Sequence, residues 1–101
     1  MTDVVPQARK LLAMMKDVPQ DIPGFADELI LFLEHLRDEY EVSQTKSPRL
    51  SGRSFNPLNP VIYSLESNPD RILAGSNEKD LITGILEDIV SGRILVRQKQ
   101  L

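Results

Sequence analysis

Hydrophobic residues along this chain fall into three long helical rhythms, separated by stretches rich in proline, glycine and polar side chains. In the first, Val4, Val5, Ala8, Leu11, Leu12 and Met15 recur at spacings of three and four, which puts them on one face of a 3.6-residue helix. That helix is expected to begin near Val4 or Pro6, where proline is tolerated in an opening turn, and to end before Pro19. Two prolines and a glycine within Val18–Gly24 then predict a turn.

The second rhythm is the strongest. From Phe25 to Val42, the residues Phe25, Leu29, Phe32, Leu33, Leu36 and Tyr40 form one stripe, while Asp27, Glu34, Asp38 and Glu41 gather on the other side. Leu31 breaks the segregation: its angular position lies among the acids and beside His35, so it is either covered by another element or open to a partner. Two helices joined by a short turn predict a hairpin.

Ser43–Pro60 shows no sustained period and is read as a long, mobile loop, with Phe55 and Leu58 pinning it to the core. The segment from Asn59 to Glu66 supports two readings. Asn59-Pro60 is a good helix opening, yet Val61, Ile62 and Tyr63 favour a strand; the capping pair tips the balance to helix. Asn68-Pro69 predicts a short helix through Ala74, closed by Gly75. A third long helix should be capped by Ser76 or Asn77, bury Leu81, Ile82, Ile85, Leu86, Ile89 and Val90, and stop at Gly92. Gly84, inside it, costs about 1 kcal/mol relative to alanine and is read as a tolerated surface glycine, the alternative being the close approach of another backbone. The apolar run Ile94-Leu95-Val96 within the segment 93–101 is either a helical or frayed tail or a short strand, and a strand would need Val61–Leu65, a second copy or a partner protein alongside it.

The expected fold is therefore mainly α: an amino-terminal helical hairpin on a carboxy-terminal helix, with a long polar loop and a short carboxy-terminal strand, an α+β arrangement being the alternative. At 101 residues the chain suits a single domain, 1–101, with one core. No apolar run approaches the roughly 20 residues of a membrane helix, and the amino terminus lacks the layout of a secretory signal, so no membrane association and a cytoplasmic location are expected. There is no cysteine, which removes disulfides, thiol nucleophiles and thiolate metal sites.

Charge sharpens the picture because it is segregated. Residues 1–42 hold nine acids and four bases and 61–91 hold six and two, whereas 43–60 and 92–101 contain three bases each and no acid. Lys46, Arg49, Arg53, Arg93, Arg97 and Lys99 are accordingly candidate anion-binding residues. Catalytic signals are sparse: one histidine, no Walker or GxGxxG motif, and carboxylates at ordinary amphipathic spacing, so neither an enzyme nor a cofactor or metal is expected. The function expected is a small regulatory, adaptor or inhibitor-type module that binds another protein through Asp27, Leu31, Glu34, His35 and Asp38, with homodimerisation as one arrangement. The alternative is a nucleic-acid-associated regulator of winged-helix type. Asp80, Glu87 and Asp88, placed on the exposed side of its recognition helix, would repel phosphates.

Overall fold

The computed structural model describes residues 4–16, 22–50 and 52–99. The protein is mainly α; the described residues form five α-helices, a short 3₁₀ turn and one two-stranded antiparallel sheet. Helix α1 spans Val5–Lys16 and α2 spans Ile22–Glu39. Strand β1, Tyr40–Thr45, leads through a polar segment to the 3₁₀ turn Asn56–Leu58 and helix α3, Asn59–Ser67. Helices α4, Pro69–Ala74, and α5, Asn77–Ser91, precede strand β2, Ile94–Gln98.

The spacing of apolar residues explains the burial of each helix. Ala8 and Leu11 of α1, Leu29, Leu33 and Leu36 of α2, and Ile82, Ile85 and Leu86 of α5 join one continuous core with Leu65 of α3 and Ile72 of α4. Each such leucine or isoleucine, fully removed from water, contributes on the order of 1.5–3 kcal/mol. Helix α1 packs most extensively on α5, and an ion pair of 2.8 Å from Lys10 to Glu28 ties it to α2. Asn59–Ser67 is helical and buries Val61, Ile62 and Leu65, but Asn59 is its first residue rather than its cap: Leu58 holds the cap position and no side chain closes it. At α5, the Ser76 hydroxyl accepts a hydrogen bond from the Lys79 N–H at 3.0 Å, satisfying an opening donor. Gly92 closes the helix at φ 85°, a left-handed conformation that disfavours any side chain.

The boundaries of α2 differ from expectation at both ends. It begins at Ile22, taking in Pro23 and Gly24 from the expected turn, because a proline in the opening turn lacks an N–H that would have no partner in any case. The remainder of that turn, 18–21, lies outside the described residues. The helix stops at Glu39, and Tyr40–Thr45 is a strand rather than the end of a helix and the start of a loop. Tyr40 is four residues from Leu36, so a helix would bury it; a strand that alternates Tyr40 and Val42 inward buries it equally well. Pairing decides the matter. Tyr40 lies opposite Gln98, Glu41 opposite Arg97 and Val42 opposite Val96, with an irregularity before Gln44 opposite Leu95. The carboxy-terminal segment is thus a strand, and its partner is β1 rather than Val61–Leu65.

The segment after β1 is ordered by contacts that no local period announces. Leu50, Phe55 and Leu58 are all buried, and the Arg53 carbonyl accepts the Val42 N–H at 2.7 Å, carrying the chain back along β1. Phe55 and Leu58 thus pin the segment to the core as expected, but 43–60 is not a single loop: it holds the end of β1, the 3₁₀ turn and the first residues of α3.

Candidate protein interface

The outer face of α2 is built by helical geometry. Asp27, Leu31, Glu34 and Asp38 follow one another at steps of four, three and four, and His35 stands one turn beyond Leu31, so all five project from one side of the helix. The inner side is fixed by Leu29, Phe32, Leu33 and Leu36 in the core, which forces this face outward. Leu31 is 68% exposed, although the next two residues, Phe32 and Leu33, are buried.

The polar side chains around Leu31 are not equivalent. Arg37 stands among the acids: its Nε and one terminal nitrogen donate to the two oxygens of Asp38 at 2.8 and 3.2 Å, and it lies 3.8 Å from Glu34. That two-point hydrogen bond holds the Asp38 carboxyl below its ordinary range and raises the Arg37 guanidinium. Arg37 also donates to Asn59 at 3.1 Å, at the start of α3. At the other end Ala26, Asp27 and Ile30 share a groove of about 270 Å³ with Leu65, Glu66 and Pro69, so α3 runs antiparallel beside α2. His35 pairs through Nδ1 with Glu39 and meets the Tyr40 ring edge-on at 5.1 Å between centroids. Arg37 was not among the candidate residues of this face. Neither was Tyr63, a large side chain on α3 that is 72% exposed.

The candidate anion-binding residues do not form one patch. Arg49 lies across α5 so close over Gly84 that a Cβ there would collide with its Nε, and its guanidinium is 3.3 Å from Asp88. Gly84 is therefore buried beneath an arginine, and the absence of a side chain there is what lets Arg49 through; it is not an exposed, tolerated glycine. Asp88 is likewise buried, at 2% exposure, not part of a solvated helix face. Its carboxylate accepts the Ser47 hydroxyl at 2.5 Å and has Arg93 at 3.9 Å. Ser47 in turn accepts the Arg49 N–H at 3.1 Å, so the group closes on itself and clamps the connection after β1 onto α5. Arg97 pairs with Glu41 at 2.9 Å across the sheet, and Lys99 donates to the Arg37 carbonyl at 2.9 Å. Lys46 and Arg53 are exposed.

Among the described residues, no group of three or more acidic or histidine side chains converges as a metal site would need, and no helix is long and apolar enough to cross a membrane. The chain matches no protein-family model, and neither a curated protein nor a solved structure is detectably similar to it.

Proposed function

We propose that this protein is a small, non-catalytic interaction module, regulatory, adaptor or inhibitor-type, that binds another protein through the outer face of α2. The observation that carries the reading is the exposure of Leu31 within a ring of charged and polar groups. Interfaces concentrate their energy in a few apolar anchors rimmed by polar side chains, and Leu31 with Asp27, Glu34, His35 and Asp38 has that composition. The acids favour a partner with a basic surface, which they steer during encounter. Asp27 is the least committed of them, since Asp38 and Glu34 share Arg37 and a partner's cation must compete with it.

The nucleic-acid reading has less support. Arg49 and Arg93 converge on Asp88 and Arg97 on Glu41, so three of the six candidate cations already face carboxylates of this chain. Strand β2 does follow α5 as a wing would, but its partner is β1, not a further strand beyond it.

Parallel affinity capture from native lysate with the wild-type chain, Leu31→Ala and Asp38→Lys tests the proposal. The expected result is the same partner in every capture, at least roughly tenfold depleted with Leu31→Ala and with a flattened salt dependence for Asp38→Lys. An unchanged capture by both folded variants would remove α2 from the interaction.

A further inference from the structure

On the opposite side of the charge pattern, an apolar groove of about 580 Å³ runs between the start of α1, the end of α5 and β2. Val4, Val5 and Val90 form its walls. All five residues of β2, Ile94–Gln98, line it. Successive side chains of a strand point to opposite faces, so a groove beneath one face would meet only alternate residues. Contact with five in a row places the groove along the strand's edge, and because Tyr40 of β1, opposite Gln98, also lines it, the groove continues beneath the sheet.

That edge is open. Among the described residues the sheet has two strands, and β2 gives its inner edge to β1. Beyond the ladder, the Arg93 carbonyl accepts from Lys46 and the Lys99 N–H donates to Glu39, both toward β1 and the segments that flank it. The outer edge of β1 differs, because the returning chain covers it where Arg53 accepts from Val42. A row of unpaired N–H and C=O groups beside an apolar trough is the requirement for adding a strand: the backbone supplies the hydrogen bonds and alternate side chains fill the trough.

The charges select the occupant. Residues 92–101 contain Arg93, Arg97 and Lys99 and no acid. A second copy paired along the same edge would bring both sets of cations together, and in the register centred on Val96 would set Arg93 directly opposite Lys99. An extended segment with carboxylates flanking an apolar centre meets the exposed Arg93 and Lys99 favourably, Arg97 being already paired with Glu41. We infer that the open edge of β2 and its adjoining groove form a second docking site, which takes an extended, acid-flanked apolar segment of a partner protein as a third strand. It differs in charge from the α2 face, which is acidic and suits a helix-facing, basic partner, and Tyr40, which lines the groove, meets His35 of that face.

The test uses the full chain and a short synthetic peptide of alternating valine and threonine with glutamate at both ends, followed by backbone amide chemical shifts. The expected shifts fall on Ile94–Gln98, Val4, Val5 and Val90, with binding roughly tenfold weaker for a lysine-ended peptide. A proline at the peptide's centre, which removes a ladder donor, should weaken binding at least as much. Leu95→Glu, at a position 46% exposed, should repel the glutamate-ended peptide by a similar factor; if that variant fails to fold, the proline peptide carries the same test. The inference is overturned if no shifts appear by about 1 mM peptide, if they fall on α2, or if the lysine-ended peptide binds equally well. It is also overturned if sedimentation reveals a dimer that Leu95→Glu dissociates, since a second copy would then hold the edge.

Discussion

Helices α2 and α5 each carry acids beside an apolar stripe, and the two sets of acids meet opposite fates. Asp88 of α5 is buried with a hydroxyl and an arginine on it, whereas Asp27, Glu34 and Asp38 of α2 surround a bare leucine. The difference is not in the helices but in what crosses them. The connection after β1 folds over α5 through the gap left by Gly84; beside α2, α3 covers one flank and leaves the outer face uncovered. A helical acid is therefore a structural clamp or a recognition group according to whether another segment brings partners to it. An unpaired buried carboxylate would be strongly destabilising, so Ser47 and Arg49 are requirements of the fold rather than additions to it.

Substitutions can break this contrast at several strengths. Leu36→Ala, on the buried side of α2, should lower stability by about 2–5 kcal/mol, the loss typical of a core leucine, as read by chemical denaturation. Asp88→Ala should follow at about 2–3 kcal/mol, because it removes charge-assisted hydrogen bonds and leaves Ser47 and Arg49 without their acceptor. A smaller effect is expected from a double-mutant cycle. Gly84→Ala gains about 1 kcal/mol of helix propensity but displaces Arg49, so it should be nearly neutral alone and stabilising by about that amount once Arg49→Ala has removed the obstruction. Equal effects in both backgrounds would mean that Gly84 and Arg49 are uncoupled.

The pH dependence of the outer face is weaker still. The Asp38 carboxyl is held below its ordinary range by Arg37, so the pair's contribution is fully present above the unfolded carboxylate value and fades as pH falls through the folded one. Asp38→Asn should therefore alter acid titration only below about pH 4, and only slightly, because the pair is exposed to solvent.

Much of this architecture was legible from spacing. The three helical stripes, the Ser76 cap and the Gly92 stop lie in local patterns, as does the exposure of Leu31, which is out of phase with its own helix. The clamp was not. Ser47 and Asp88 are 41 positions apart, and neither end carries a period that announces the other. Gly84 and Asp88 stand four apart on a flank of α5, a spacing that signals a covered groove only once an arginine is known to lie in it. Strand β1 was hidden for a different reason: Tyr40 satisfies helix and strand periods alike, and the choice rests on β2, which arrives at the far end of the chain. Arg37 was legible as a basic residue within an acidic helix; its neutralising contact with Asp38 required side-chain geometry.

The central claim is that the α5 acid is occupied by its own chain while the α2 face is open. The most direct measurement is the unfolding free energy of Leu31→Ala by chemical denaturation. With Leu31 68% exposed, the account predicts a change within about 0.5 kcal/mol of wild type, the range of ordinary surface substitutions. A core-sized loss of about 2–5 kcal/mol would mean that another part of the molecule covers Leu31, and would contradict the claim.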